Sequence, residues 1–191
     1  MPATKVERGE ILPIAEYETI RERFRDRVIE EKKARRVGLG EYMSAVFENH
    51  DTVLFQIQEM LRTERITRES SVQHEIDTYN ELVPGPFELS ATLFVEIPDA
   101  ALRDRMLVEM AGLESTFYLE VDGVRYPARS ETRGVLPDRA TAVHYVKFPI
   151  GEVGTAAFKQ GKRAVLGADH PKYQASTELA PATKKSLAED L

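Results

Sequence analysis

Between residues 16 and 36, apolar side chains recur at Tyr17, Ile20, Phe24 and Val28. Steps of three and four set them on one narrow stripe, which predicts a long helix that is charged on its other sides. Lys32, Lys33, Arg35 and Arg36 fill its last turn, where cations suit the negative end of the helix dipole, and Gly38 and Gly40 are expected to stop the helix and turn the chain. A short strand is expected at 42–48. Asn49, His50, Asp51 and Thr52 follow, side chains suited to capping a helix N-terminus. The next helix, 51–65, gathers Val53, Leu54, Ile57 and Leu61 on one face and Gln56, Glu59 and Arg62 on a polar one. A third, 69–82, carries Val72, Ile76 and Tyr79 and stops at Val83-Pro84-Gly85-Pro86, so the two predict a helical hairpin.

In the second half the period changes to two. Leu89, Ala91, Leu93, Val95 and Ile97 alternate with Ser90, Thr92, Phe94 and Glu96, the pattern of a strand with one face in a core. Pro98 and Asp99 open a short helix running to Met110. Further strands are expected at 116–122, 124–129, 141–149, 162–169 and 172–179, with Asp122-Gly123 as a two-residue hairpin turn, and a last helix at 182–191. The polar stretch 129–140 reads as a mobile loop. Helices first and hairpin-linked strands later predict an α+β fold. N-terminal helices pack on one side of a mainly antiparallel sheet formed largely by the C-terminal half, in one domain over residues 1–191.

Composition narrows the chemistry. Without Cys, there are no disulfides, thiolate nucleophiles, zinc–thiolate clusters or Cys-ligated iron–sulfur centres. The net charge of −6 disfavours a generally basic nucleic-acid binder, although residues 21–36 hold eight bases against four acids. Charged residues soon follow Met1-Pro2-Ala3-Thr4-Lys5 in place of an apolar leader, and no apolar run reaches the ~18 residues of a membrane span, so a cytoplasmic protein is expected. Gly38-Leu39-Gly40 lacks the third glycine of a dinucleotide fingerprint, and Ala156 stands where a P-loop ending at Gly161-Lys162 needs glycine. No cofactor is predicted.

Four constellations remain as candidates. His144 alternates with Ala142, Val146 and Phe148 onto the more apolar face of its strand, where it could serve as acid, base or ligand, or be a neutral histidine hydrogen-bonded in the core. Glu48, His50 and Asp51 bring two carboxylates and an imidazole to a helix N-terminus, which could hold a metal ion through the carboxylates or an anion through free backbone N–H groups, although capping alone accounts for Asn49 and Asp51. His74 sits near Asp77 and Thr78 on an exposed helix face, and His170 reads as part of a turn between strands. Arg21, Arg25, Lys32 and Arg36 fall within an arc of about 60° on the first helix, a candidate contact for an acidic partner or a cover for the flank of the apolar stripe.

The stretches Glu48-Asn49-His50-Asp51-Thr52-Val53-Leu54-Phe55-Gln56-Ile57-Gln58-Glu59-Met60-Leu61-Arg62, Tyr79-Asn80-Glu81-Leu82-Val83-Pro84-Gly85 and Glu88-Leu89-Ser90-Ala91-Thr92-Leu93-Phe94-Val95-Glu96-Ile97 carry a further signal. With Ala142-Val143-His144-Tyr145-Val146 and Asp169-His170-Pro171, the chain resembles, nearly end to end, an uncharacterised bacterial family bearing only a domain-of-unknown-function label. The resemblance implies a setting beside rubrerythrin-like proteins and iron–sulfur proteins of heterodisulfide-reductase type, hence peroxide defence or electron transfer. It carries over no catalytic residues. A chain without Cys is poorly equipped to carry electrons, so the leading expectation is a non-enzymatic accessory or binding protein for a redox partner, using the basic stripe and the helical hairpin. Two alternatives stay open: a small metal-dependent or haem-associated enzyme centred on His144, and a nucleic-acid-binding regulator using residues 21–36. A homo-oligomer is compatible with each.

Overall fold

The computed structural model describes residues 4–130 and 135–191. After a single 3₁₀ turn at Arg8–Glu10, the chain forms α1 (Ile14–Arg35), β1 (Arg36–Leu39), β2 (Met43–Glu48), α2 (His50–Thr63), α3 (Glu69–Tyr79) and β3 (Glu88–Val95). It continues through α4 (Ala100–Glu109), β4 (Phe117–Val121), β5 (Val124–Pro127), β6 (Arg129–Ser130) and β7 (Val143–Pro149). The last elements are α5 (Gly151–Lys159), β8 (Ala164–His170), β9 (Tyr173–Glu178) and α6 (Pro181–Leu187). This is an α+β protein with its longer helices early and most strands late. None of the helices among the described residues is long and apolar enough to cross a membrane.

The strands make two antiparallel sheets, ordered β1-β2-β3-β7-β6 and β5-β4-β8-β9. Period-two alternation decides what lies between them. From the first sheet come Ala45, Phe47, Leu89, Ala91, Leu93, Val146 and Phe148; from the second, Phe117, Leu119, Val121, Ala164, Leu166 and Ala168. Leu107 and Met110 at α4, Phe158 of α5 and Leu187 of α6 join the same core. Where β1 and β9 approach one another, side chains satisfy the open edge. The Tyr173 hydroxyl donates to the Leu39 carbonyl at 2.6 Å and accepts from the Tyr42 N–H at 3.0 Å, and Thr177 Oγ1 donates to the Gly38 carbonyl at 2.6 Å. An edge so occupied offers fewer free backbone groups to another strand.

The opposite face of β2 and β3 is polar where α2 begins. Glu48 is buried there and accepts from Thr52 Oγ1 at 2.6 Å and Thr92 Oγ1 at 2.7 Å. At the end of α1, Arg35 is also buried: its Nε donates to the Phe47 carbonyl at 2.9 Å, and it pairs with Asp190 just beyond α6. Burial pushes the Asp190 carboxyl up and Arg35 opposes it. A second, smaller core lies between α2 and α3, built from Val53, Ile57, Leu61, Val72 and Ile76 with Leu82 and Val83, and closed by Val6 and Ile11 of the N-terminal segment.

Several expectations change. The first helix ends at Arg35, and the next four residues are a strand whose Val37 and Leu39 point inward. Gly38 therefore lies inside β1, and only Gly40 turns the chain, at φ +70°, where a Cβ would stand 2.6 Å from the Tyr173 hydroxyl oxygen. The periodicity of α5 was hidden by two glycines in nine residues; Gly154 is required by close packing, since a Cβ there would lie 2.9 Å from both Ile150 and Tyr126. Part of the loop expected at 129–140 lies outside the described residues; Arg129–Ser130 pair with β7, and Leu136 bridges Arg139.

Candidate binding groove

α1 lies along α2, and their contact is built around one carboxylate. Glu59 accepts from the Tyr17 hydroxyl at 2.7 Å and from Arg21 at both oxygens, at 2.8 Å each. The Arg21 hydrogen bond holds the Glu59 carboxyl below its ordinary range, while burial and the carboxylate raise the Tyr17 phenol. Beyond this anchor the helices leave room. A cavity of about 380 Å³ opens between the N-terminal segment, α1 and α2, floored by Leu12, Tyr17, Ile20, Phe24 and Leu54, with Arg23 and Arg27 among its lining. Phe24 stands edge-on to Phe55 at 5.7 Å, and Arg27 lies over the Phe24 ring, 5.0 Å from its centroid. Among the described residues Arg23 has no ion-pair partner, whereas Arg27 meets Asp51 at 2.9 Å.

The N-terminal side of the cavity is held by side chains of α2 and by Asn80 just after α3. Gln58, buried within the apolar stripe of α2, accepts from the Leu12 N–H at 2.7 Å and donates to the Leu12 carbonyl at 3.3 Å. His50 lies between two carboxylates, with Nε2 3.0 Å from Glu10 and Nδ1 3.0 Å from Asp51. Burial disfavours its charge, but the hydrogen bonds to Asp51 and Glu10 outweigh that, so its pKa is raised. These contacts form a charge chain, Glu10–His50–Asp51–Arg27, joining the N-terminal segment to both helices.

The residues singled out in the sequence do not converge. Asn49 caps α2, its Oδ1 accepting from the Thr52 N–H at 3.0 Å. Glu48 faces the two threonines, while His50 and Asp51 face the groove side. Among the described residues no three His, Asp or Glu side chains form a group suited to a metal ion. His144 sits in the inter-sheet core, level with Leu93 and edge-on to Phe117 at 5.6 Å. Burial lowers its pKa, and its Nε2 is enclosed without a hydrogen-bond partner, so a fully satisfied core histidine is not what the structure holds. His74 is exposed. His170 is buried at the end of β8: Nε2 lies 3.0 Å from the Ala111 carbonyl, and Nδ1 accepts from the Lys172 N–H at 3.1 Å.

The basic stripe is dispersed. Arg21 is committed to Glu59, and Arg36 belongs to β1, where it pairs with Glu96 at 2.5 Å. Helical angles therefore do not apply to Arg36. Arg25 is exposed and Lys32 half-buried, both still on α1. The sequence reading missed Glu10, Leu12, Arg23 and Arg27. Its available signals were the apolar Ile11 and Leu12 ahead of Pro13, and Gln58 spaced four from Leu54 and three from Leu61.

These features define an α+β protein of two antiparallel sheets with a helical layer that carries a half-open groove. The chain belongs to the family described as Protein of unknown function (DUF3501), whose model matches residues 5–191. It is also similar to the crystal structure of a protein of unknown function from Burkholderia pseudomallei, with a TM-score of 0.93 and 32% identity, covering 98% of this chain and 100% of that one. Among curated proteins, none matches.

Proposed function

We propose that this protein acts by binding, as a non-enzymatic accessory to a cytoplasmic redox or peroxide-defence protein, and that the α1–α2 groove receives an acidic, apolar-tipped element of that partner. The observation that carries this reading is the groove itself: an aromatic and aliphatic floor beside Arg23 and Arg27. An aromatic-walled pocket beside arginines has the chemistry of an interface anchor, since desolvated aromatic and guanidinium groups contribute most of the energy where proteins meet. Arg23, without an ion-pair partner among the described residues, also favours an acidic partner during encounter. The imidazoles give catalysis less support, because His50 is held between carboxylates, His170 between backbone groups, and His144 is sealed among apolar side chains. The redox identity of the partner rests on the family resemblance.

The test is affinity capture from native cells with the wild-type chain and with Arg23→Glu/Arg27→Glu. Recovery of a rubrerythrin-like or iron–sulfur protein by wild type, with binding of the purified pair weakened about tenfold or more by the double substitution, is the expected result. Repeated capture without any redox protein overturns the partner assignment. Equal affinity of wild type and variant overturns the groove.

A further inference from the structure

The N-terminal segment enters the helical layer in the manner of a bound peptide. Two side-chain amides grip it, one near each end. Asn80 Oδ1 accepts from the Val6 N–H at 2.7 Å and Nδ2 donates to the Val6 carbonyl at 2.9 Å, and Gln58 makes the equivalent pair with Leu12 at 2.7 and 3.3 Å. A primary amide presents a donor and an acceptor in one plane, matching the N–H and C=O of a single residue. Such a clamp reads the backbone irrespective of the side chain it belongs to, and selectivity then comes from pockets for particular side chains. Asn80 and Gln58 are 7% and 2% exposed. The segment both buries these two amides and supplies their hydrogen-bond partners.

The pockets are equally specific. Val6 and Ile11, 2% and 5% exposed, fill the groove against Val53, Ile57, Leu61, Val72 and Ile76. Between them the chain makes a 3₁₀ turn, closed by the Glu10 N–H donating to the Glu7 carbonyl at 3.1 Å, and Arg8 forks onto Glu69 at 2.7 and 2.9 Å. Beside Ile11 lies a further cavity of about 230 Å³, lined by Ile14, Leu61, Ile66 and Val72 with Arg8 and Thr67. The groove therefore has room beside Ile11 for a larger apolar side chain.

We propose that the α2–α3 hairpin is a receptor for a short peptide segment, occupied in this structure by the chain's own residues 6–12. The occupant it takes in trans is a segment of another polypeptide that makes the same turn: apolar residues at the first and sixth positions, a base at the third to meet Glu69, and at the sixth a side chain larger than isoleucine. The tethered segment competes at an effective concentration on the order of millimolar, so a trans peptide with identical contacts displaces it poorly. A partner prevails by filling the cavity beside Ile11. The site adjoins the α1–α2 groove, whose lining includes Leu12 and Gln58, but its pockets for Val6 and Ile11 lie on the α2–α3 side.

The test uses the full chain and a fluorescent peptide of residues 4–13, in native form and with Ile11→Phe. Val6→Asp/Ile11→Asp in the protein ejects the tethered segment. That variant is expected to bind the native peptide at least tenfold more tightly than wild type does, to bind the Phe peptide more tightly still, and to lose both when Asn80→Ala is added. The assay contains only the purified chain and the peptide, with no redox partner present, so failure of this proposal leaves the partner reading standing and failure of the partner reading leaves this one standing. A folded Val6→Asp/Ile11→Asp variant that binds neither peptide overturns it. Should that variant fail to fold, hydrogen exchange on the wild type decides: saturating Phe peptide is expected to increase exchange across residues 4–12, and unchanged exchange overturns the proposal.

Discussion

The two cores of this protein are built differently. Between the sheets, facing strands contribute Leu93, Phe148, Leu119 and Leu166, each with no exposed surface, and the sheet edges beside them are tied by Tyr173 and Thr177. In the helical layer the core is smaller, is closed by a segment only a few residues long, and has cavities of about 380 and 230 Å³ beside it. Close packing leaves no room for a ligand, whereas a layer closed by a short clamped segment can open locally at low cost. The sheet core is thus the sealed part of the molecule, and the helical layer the part bordered by these cavities.

Deleting side chains on each side measures that difference. The largest effect is expected from Phe148→Ala, which empties space against Phe47 and should cost about 3–5 kcal/mol by urea denaturation. Removing one member of the buried ion pair comes next in sequence. Arg35→Met leaves Asp190 enclosed without its cation, at a cost of about 3–5 kcal/mol, and Arg35→Met/Asp190→Leu should recover most of it. In the helical layer, Ile11→Ala should lower the denaturation midpoint by much less than Phe148→Ala, because global stability registers no more than the local stability of the segment it anchors. A loss as large as that of Phe148→Ala would show that the segment is part of the global core.

The two histidines give a finer contrast, with opposite signs. His144 titrates below its ordinary value because burial disfavours the imidazolium, so below about pH 6.5 the unfolded chain binds a proton that the folded chain refuses. Its contribution is present above that pH and lost on acidification. His50 titrates above its ordinary value, because Asp51 and Glu10 outweigh burial, so its contribution is present at low pH and lost as pH rises through the raised value. Melting curves should therefore show His144→Leu gaining on wild type as pH falls, and His50→Gln closing its deficit as pH rises. Parallel profiles for wild type and both variants would contradict these assignments.

Most elements were legible because one face of each was buried. The stripes of α2 and α3 and the alternation in β3 and β7 map onto the two cores with bounds shifted by a few residues, while Tyr17, Ile20 and Phe24 of the α1 stripe line the groove. β1 was hidden because Gly38 reads as a breaker, although Val37 and Leu39 already alternate, and α5 because close approach to Tyr126 demands a glycine that weakens helical signals. His144 could be placed on its face from the alternation alone, but its lone Nε2 depends on what the second sheet brings opposite. The groove was least legible. Its residues are separated by tens of positions: Val6 meets Asn80 and Leu12 meets Gln58 only after α2 and α3 have packed. The local signs were a polar residue on an apolar stripe, as Gln58 is, and the apolar Ile11 and Leu12 ahead of Pro13.

The division between a sealed sheet core and an openable helical layer is tested most directly by native-state hydrogen exchange across a series of low urea concentrations. The amides of Val6 and Leu12, whose partners are the side chains of Asn80 and Gln58, are expected to exchange through a local opening with small urea dependence. Amides in the β3–β7 and β4–β8 ladders should exchange only with the full urea dependence of global unfolding. If Val6 and Leu12 show the same opening free energy and the same urea dependence as those ladders, the segment is an integral part of one cooperative core and the division is wrong.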